Sequence, residues 1–195
     1  MTTIAADNHK PRPRLHQRSA WIDLIETVLL IVIVYALVNL ATIRFFIDGP
    51  SMQPSFEPGQ FVLVSRVHYL FGEPQRGEVV VFNAPGSRPD DPPLIKRLVG
   101  LPGETLELRD GQVYIDGVLL NEPYLREACT QARCSNRVVE LGEDEYFLMG
   151  DNRNNSRDSR AFGAVPRQQI VGEAILRYLP LDQWGLVKAF NGLPK

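Results

Sequence analysis

Residues 105–120 read TLELRDGQVYIDGVLL, and they carry the clearest local fold signal in the chain. Two Asp-Gly pairs, at 110–111 and 116–117, divide the stretch into three short runs. Asp-Gly is the favoured pair for the two-residue type I′ turn of a β-hairpin. The pattern therefore predicts two successive hairpins, within a hairpin-rich subdomain over residues 104–145. Their three strands are expected at Thr105–Arg109, Gln112–Ile115 and Val118–Leu120.

Further short apolar runs, rich in β-branched residues and bounded by Gly and Pro, lie on both sides of these hairpins. They are Phe61–Val64, Glu78–Phe82, Leu94–Leu101, Glu145–Met149 and Ile170–Leu179. Many short strands separated by turn signals are typical of antiparallel barrels and paired curved sheets. We therefore expect a mainly β fold, an antiparallel β-barrel or curved-sheet domain, over residues 48–195.

The N-terminal part of the chain has a different composition. Residues 28–43, VLLIVIVYALVNLATI, carry no charge, and with their flanks they reach the length of a membrane-spanning helix. We expect an anchor over residues 21–47, because the exit from the apolar run lacks the small-residue site of a cleaved signal peptide. A buried core helix is the other alternative, but such a helix is seldom apolar on every face.

The residues before the anchor predict its orientation. Residues 1–20 form a polar tail with basic residues at Lys10, Arg12, Arg14 and Arg18. By the positive-inside rule this tail is cytoplasmic, and residues 48–195 are extracytoplasmic. The expected localisation is the cytoplasmic membrane, crossed once.

Charge and cysteine content exclude several functional classes. The 195 residues have a net charge of −2, which gives no electrostatic basis for nucleic-acid binding. No CxxC or HExxH motif is present, so no metal or cofactor is expected. Cys129 and Cys134 are spaced for a small-loop disulfide on the oxidising side of the membrane, and reduced thiols are the alternative.

A serine between prolines follows the anchor, in Gly49-Pro50-Ser51-Met52-Gln53-Pro54. Proline fixes φ and removes a backbone donor, so the stretch predicts a rigid non-helical turn. A rigid turn holds a nucleophilic hydroxyl in place. The alternative is an ordinary exposed serine in a turn.

A nucleophilic serine needs a base. Beyond the anchor the chain has one histidine, His68, which lies in no supporting motif and is interpreted as an ordinary surface or half-buried residue. Lys96 is the other candidate, because strand alternation places Leu94 and Leu98 on its own face. An apolar setting lowers the pKa of a lysine from about 10.4 toward neutrality. The alternative is an edge-strand lysine whose ammonium reaches solvent.

A third polar stretch, residues 150–160, follows an apolar strand and reads GDNRNNSRDSR. It is a loop of turn-forming residues that is dense in groups able to orient others. Asp158 and Arg160 are spaced to pair and hold the loop in one shape. Ser156 supplies a hydroxyl next to this pair.

Taken together and in this order, these stretches resemble bacterial type I signal peptidases, the membrane-anchored Ser/Lys endopeptidases. The resemblance covers nearly the whole chain, from the anchor to about Tyr178. Four blocks carry it, and they are residues 49–55 (GPSMQPS), 76–82 (RGEVVVF), 96–104 (KRLVGLPGE) and 150–160 (GDNRNNSRDSR).

The resemblance implies a role for each candidate residue. Ser51 is the nucleophile, and neutral Lys96 is the general base. Ser156 orients the Lys96 amine, and Asp158 with Arg160 forms a structural ion pair behind the site. The Ser51 N–H contributes to the oxyanion hole. Some relatives carry a hydroxyl two residues before the nucleophile, but this chain has Gly49 there, which leaves the second donor unidentified.

The resemblance also implies the substrate and partners. Secretory preproteins are cleaved at the outer face of the membrane, after small residues at −3 and −1. Separately from the resemblance, we expect the protein to be a monomer. Exposed apolar side chains near Phe45, Phe46 and Phe71 are expected to contact lipid. The alternatives are a soluble or self-cleaving Ser/Lys peptidase, a Ser/His hydrolase that uses His68, and a catalytically inactive membrane-tethered β-domain that binds secreted partners.

Overall fold

The N-terminal apolar segment is a single helix. The computed structural model describes residues 20–190 and 192, and these fall into two compact units divided between Val38 and Asn39. Helix α1 spans Ala20–Ala41, and residues 20–40 are all exposed. Among the residues described, it is the one helix long and apolar enough to cross a membrane. The predicted tail lies outside the described residues except for Ala20.

The helix ends six residues before the predicted end of the anchor at residue 47. Residues Thr42–Phe46 instead form a strand, β1, which pairs antiparallel with Phe61–Ser65, β2, in the register Thr42↔Ser65 to Phe46↔Phe61. The β-branched and aromatic residues of this segment suit a pleated surface. Pairing with β2 therefore decides its conformation, and the predicted range 21–47 is too long for the helix.

The other elements of the described residues are ten further strands, two single-turn α-helices and short 3₁₀ turns. The helices are α2 (His68–Phe71) and α3 (Ser159–Phe162). The strands are β3 (Val79–Phe82), β4 (Leu94–Gly100), β5 (Thr105–Arg109), β6 (Gln112–Ile115), β7 (Val118–Leu119), β8 (Arg137–Glu140), β9 (Glu145–Met149), β10 (Val165–Pro166), β11 (Ile170–Leu179) and β12 (Gly185–Leu186).

These strands form two antiparallel sheets. The larger sheet has the order β1-β2-β11-β3-β4-β9-β10, and β12 pairs with β11. The smaller sheet has the order β7-β6-β5-β8. Register shifts in β11 and between β4 and β9 mark irregular positions of the kind that bend and twist strands. The predicted mainly β fold behind an N-terminal apolar helix is confirmed.

Both predicted hairpins are present in the smaller sheet. Asp110 and Gly111 have φ of 52° and 78°, and Asp116 and Gly117 have φ of 50° and 80°, the positive values that a type I′ turn requires. The strands pair in the matching registers, with Arg109↔Gln112 and Ile115↔Val118. The third strand ends at Leu119, one residue earlier than expected.

Three apolar clusters hold the sheets and position the loops that carry the candidate site. One packs the smaller sheet against β4 and β9 through Val99, Phe147 and Met149. A second buries Ile47, Met52 and Phe56 against β2, β3 and β11. A third covers the other face of β3 and β4 and includes Leu98 and Leu148. Residues 47–56 are thereby fastened to the large sheet on both sides of Ser51.

Candidate active site

Ser51 lies in one turn of 3₁₀ helix, Pro50–Met52, rather than in the predicted non-helical turn. Pro50 is at the first helical position, where its missing N–H costs no hydrogen bond. The turn is closed by the Gln53 N–H, which donates to the Pro50 carbonyl at 3.1 Å. Met52, the next residue after Ser51, is fully buried. The backbone around the hydroxyl is therefore held by local geometry and by the core.

Lys96 extends from β4 to this turn. Its Nζ lies 2.7 Å from Ser51 Oγ, and it also donates to the Ile95 carbonyl oxygen at 2.7 Å. Only 3% of the Lys96 residue surface is exposed. The fold thus joins two residues 45 positions apart in one hydrogen bond.

Burial lowers the pKa of Lys96 to about 8, and the neighbouring Arg160 guanidinium acts in the same direction. The carboxylates of Asp158 and Asp151 oppose this shift. Near neutral pH a usable fraction of the amine is consequently uncharged, and only an uncharged amine can accept a proton. The lowered pKa agrees with the apolar setting expected from the strand pattern.

Ser156 does not contact Lys96 in the way the resemblance implies. Its hydroxyl is close enough to the Asp158 carboxylate to help lower the pKa of that group. The approach nevertheless falls outside hydrogen-bond geometry, and Ser156 Oγ is buried without a hydrogen bond among the described residues. Lys96 Nζ bonds to Ser51 and Ile95 instead.

Asp158 and Arg160 form a bidentate ion pair. Arg160 donates from Nε and Nη2 to the two Asp158 carboxylate oxygens at 2.8 and 2.7 Å. Asp158 is fully buried and also accepts the Gly150 N–H at 2.9 Å. Burial alone would raise the pKa of Asp158, but the bonds from Arg160 and Gly150 outweigh it and hold the pKa below its ordinary value. Asp158 is therefore a fixed anion behind Lys96.

The two cysteines lie against the same ion pair. Cys129 and Cys134 form a disulfide, with Cα atoms 5.9 Å apart. Arg160 Nη1 lies 3.3 Å from each sulfur and donates to the Arg153 carbonyl oxygen at 2.7 Å. The disulfide loop thus braces the guanidinium that holds Asp158.

A second buried ion pair, between Arg97 and Asp151, was not identified from the sequence. Arg97 donates from Nε and Nη2 to Asp151 at 2.8 and 2.6 Å, and from Nη1 to the Gly77 carbonyl oxygen at 2.7 Å. Its Nη2 also reaches Ser55 Oγ at 3.3 Å. Arg97 therefore joins β4 to the loop that contains Asp151, to Gly77 and to Ser55, which follows the nucleophile turn. The available signal was an arginine next to Lys96 in a strand whose other side chains are apolar, because a buried guanidinium requires a partner.

Gly150 provides close contact between the nucleophile turn and the loop over residues 150–160. A Cβ atom at this position would lie 2.5 Å from the Ser51 carbonyl oxygen and 2.3 Å from Ser156 Oγ. The next residues complete the contact, since the Asn152 N–H donates to the Ser51 carbonyl at 3.0 Å. A side chain at 150 would push this loop away from the site.

His68 has contacts of a different kind. Its Nδ1 lies 3.4 Å from Glu173 and its Nε2 lies 3.9 Å from Glu78. No hydrogen bond joins His68 to Ser51 within the described part of the chain. The geometry therefore gives no support to a Ser/His hydrolase.

Comparisons with known proteins show which proteins this chain is similar to. The family model described as "Signal peptidase, peptidase S26" matches residues 19–179. A probable signal peptidase I-1 from Synechocystis sp. is 36% identical over 187 residues, which cover 90% of this chain and 93% of the relative. Signal peptidase I S from Bacillus subtilis (strain 168) is 33% identical, covering 80% of this chain and 87% of the relative. A crystal structure of a signal peptidase I from Enterococcus faecalis V583 is 34% identical with a TM-score of 0.46, covering 52% of this chain and 97% of that one.

Proposed function

Because this chain belongs to the signal peptidase family, peptidase S26, and is a serine peptidase that removes signal peptides from preproteins, we propose that Ser51 and Lys96 carry out the cleavage. The observation that carries the proposal is the 2.7 Å approach of Lys96 Nζ to Ser51 Oγ. A nucleophile and its base must lie within this distance for proton transfer. The lowered pKa of about 8 supports the base role of Lys96.

In the acylation step, Ser51 Oγ attacks the scissile carbonyl carbon while neutral Lys96 takes the hydroxyl proton. The carbonyl oxygen becomes an oxyanion, and the C–N bond then breaks as Lys96 returns the proton to the leaving amine. Within the described residues the Ser51 N–H makes no hydrogen bond, so it is available to the oxyanion. The product is an ester between Ser51 and the signal peptide.

Deacylation repeats the proton transfer with water. Neutral Lys96 takes a proton from a water molecule, and the resulting hydroxide attacks the ester carbonyl. Collapse of this second tetrahedral intermediate returns the proton to Ser51 Oγ and releases the signal peptide carboxylate. Asp158, held by Arg160 and Gly150, keeps the loop around residue 150 packed against the nucleophile turn.

An open strand edge supports binding of an extended substrate. β4 pairs with β3 from Leu94 to Arg97, but its pairing with β9 begins only at Arg97. On that side, residues Leu94–Lys96 therefore have no strand partner among the described residues. A preprotein segment can add to this edge by main-chain hydrogen bonds, next to Ser51. Shallow pockets at this edge would select small residues at −3 and −1 by steric exclusion.

The anchor supports the remaining proposals on location and partners. A helix of the length and composition of α1 crosses a bilayer once, and the basic tail before it favours a cytoplasmic N-terminus. Ser51 lies ten positions after Ala41, so the nucleophile lies within about 36 Å of the helix end. We propose that this tether keeps the enzyme, as a monomer, at the outer membrane surface, where signal peptides end their apolar region.

The test is cleavage of a secretory preprotein in detergent micelles by the full-length protein and four variants. Ser51→Ala and Lys96→Ala are expected to lose at least about a thousandfold in kcat/KM. Each substitution removes one member of the nucleophile–base pair, and neither member works without the other. Ser87→Ala and Lys188→Ala are the matched controls, since both residues are exposed. They are expected to retain wild-type rates.

Two results would contradict the proposal. Full activity in Lys96→Ala would remove the assigned base, and full activity in Ser51→Ala would remove the nucleophile. If the wild-type protein is inert on several preproteins that it nevertheless binds, the inactive tethered β-domain becomes the better interpretation.

A further inference from the structure

Three metal-ligating side chains from separate elements meet on the large sheet, outside the candidate active site. His68 comes from α2, Glu78 from the residue before β3, and Glu173 from β11. One ligand atom from each lies within 4.8 Å of the others. His68 Nδ1 lies 3.4 Å from Glu173 Oε2, and His68 Nε2 lies 3.9 Å from Glu78 Oε1.

The charges at this cluster are unbalanced. The Glu78 side chain is 6% exposed and that of Glu173 is 17% exposed, so both carboxylates are largely removed from water. Within the described residues, no Lys or Arg nitrogen lies within 4.0 Å of either carboxylate, and the imidazole of His68 is the one basic side chain that does. A cation bound between two close carboxylates that are largely removed from water would offset their repulsion and desolvation.

Hydrogen bonds from neighbouring groups fix the orientation of the Glu78 carboxylate. Its Oε2 accepts the Tyr69 hydroxyl at 2.6 Å and the Gln75 N–H at 3.0 Å. These bonds leave Oε1 facing His68. Hydrogen bonds of this kind, which fix the ligating carboxylate, are a regular feature of metal sites. The His68 side chain is 47% exposed, so the cluster is open to solvent on one side for entry of an ion and its waters.

We propose that His68, Glu78 and Glu173 bind a divalent transition-metal ion of the Mn²⁺ or Zn²⁺ type. An imidazole with two carboxylates suits such ions, whereas Mg²⁺ and Ca²⁺ prefer ligand sets made only of oxygen. The bound ion would offset both carboxylates and fasten α2 to β3 and β11. This site is structural, and it takes no part in the chemistry at Ser51.

The experiment measures thermal unfolding of the full-length protein in detergent, in EDTA and then with Mn²⁺, Zn²⁺ or Mg²⁺. All samples carry His9→Asn and His16→Asn, because histidines in the N-terminal tail are competing ligands. At a Mn²⁺ or Zn²⁺ concentration about 100 times Kd, Tm is expected to rise by about 5–10 °C. The rise with Mg²⁺ is expected to be smaller.

Variants then assign the effect to the cluster. Glu173→Gln and His68→Ala are expected to abolish the Tm increase. Glu73→Gln is the matched control, since this carboxylate lies in the same segment but contacts Tyr146 and Arg167 instead. It is expected to keep the increase.

A second readout does not depend on stability. The Co²⁺-loaded wild-type protein is expected to show visible absorption bands that weaken at least tenfold in His68→Ala. The proposal is overturned if wild-type Tm does not respond to Mn²⁺ or Zn²⁺. It is also overturned if the response and the Co²⁺ bands persist unchanged in both Glu173→Gln and His68→Ala, since another group then binds the ion.

Discussion

At the scale of single residues, the chemistry depends on an amine that the fold keeps out of water. Lys96 is buried in β4, where desolvation lowers its pKa to about 8. The same desolvation that makes the amine a base at neutral pH also penalises its charged form. Activity and stability are therefore expected to respond to Lys96 in opposite directions.

The pH dependence of cleavage is the first expected consequence. Because only neutral Lys96 accepts the Ser51 proton, kcat/KM is expected to rise about tenfold per pH unit below pH 7 and to level off above pH 8, with a midpoint near 8. The measurement is kcat/KM for a preprotein substrate between pH 6 and 10. A midpoint near 6.5 would instead indicate an imidazole base.

The second consequence concerns stability. The pKa of Lys96 is lower in the folded protein than in the unfolded chain, so the unfolded state binds more protons between about pH 8 and 10.5. The cost of burying the charged Lys96 amine lowers the free energy of unfolding by its full amount below pH 8. This cost disappears as the pH rises from about 8 to 10.5. Lys96→Met is therefore expected to raise the free energy of unfolding at pH 7, by up to about 3 kcal/mol.

Urea unfolding of the wild-type protein and of Lys96→Met, at pH 7 and at pH 10, tests this expectation. The increase in the free energy of unfolding caused by Lys96→Met should be smaller at pH 10 than at pH 7. Lys188→Met, at an exposed lysine, is the control and should change stability at neither pH. A less stable Lys96→Met at pH 7 would contradict the assigned penalty.

At the scale of elements, the loop over residues 150–160 is fixed from two sides. Gly150 and Asn152 contact the nucleophile turn, while Arg160 contacts the disulfide loop. Asp158 joins the two sides, since it accepts from both Gly150 and Arg160. A change in the disulfide loop is therefore expected to shift Arg160 and, through it, Asp158 behind Lys96.

Removal of the disulfide measures this connection. Closing a loop this short stabilises a protein by about 2 kcal/mol, so Cys129→Ser/Cys134→Ser should lower the free energy of unfolding by that amount. We expect kcat/KM to fall less than tenfold, because the Asp158–Arg160 pair itself is retained. The free energy of unfolding and kcat/KM are each measured with and without dithiothreitol. The reductant should reproduce the loss in wild type and leave the double variant unchanged; an effect on the double variant would contradict this account.

At the scale of the whole molecule, apolar side chains remain exposed on the β-rich unit as well as on α1. Phe71 is 89% exposed, and Phe46 is half exposed and packs against Phe61 with ring centroids 4.9 Å apart. Phe45, in contrast, is partly buried against the core. Exposed aromatic rings of this kind favour a membrane interface.

We therefore expect the unit over residues 39–195, expressed without residues 1–38, to bind lipid vesicles. Flotation with phosphatidylglycerol-containing vesicles measures the bound fraction, and Phe46→Ala with Phe71→Ala should reduce it at least threefold. Val138→Ala, at an exposed apolar residue of the smaller sheet, is the matched control and should retain binding. Absence of binding by the unsubstituted unit would remove the lipid-contact proposal.

Local patterns in the chain were sufficient to predict much of this protein. The Asp-Gly pairs at 110–111 and 116–117 placed both hairpins, because positive φ at successive positions is a property of those residues themselves. The uncharged run likewise predicted α1. The leucines on either side of Lys96 indicated that a buried amine was one of two alternatives, and the structure shows the buried one. Each of these signals is contained within a few turns or one strand.

Contacts between distant segments required the tertiary structure. The end of α1 at Ala41 depends on pairing between β1 and β2, and the burial of Arg97 depends on Asp151 from another loop. The position of Ser156 beside Asp158, rather than on the Lys96 amine, is a matter of ångströms in loop packing. The cluster of His68, Glu78 and Glu173 has no local motif, since three separate elements supply its ligand atoms. Dihedral preferences and hydrophobic periodicity depend on neighbouring residues in the chain. The contacts named here form only when packing of the sheets brings distant segments together.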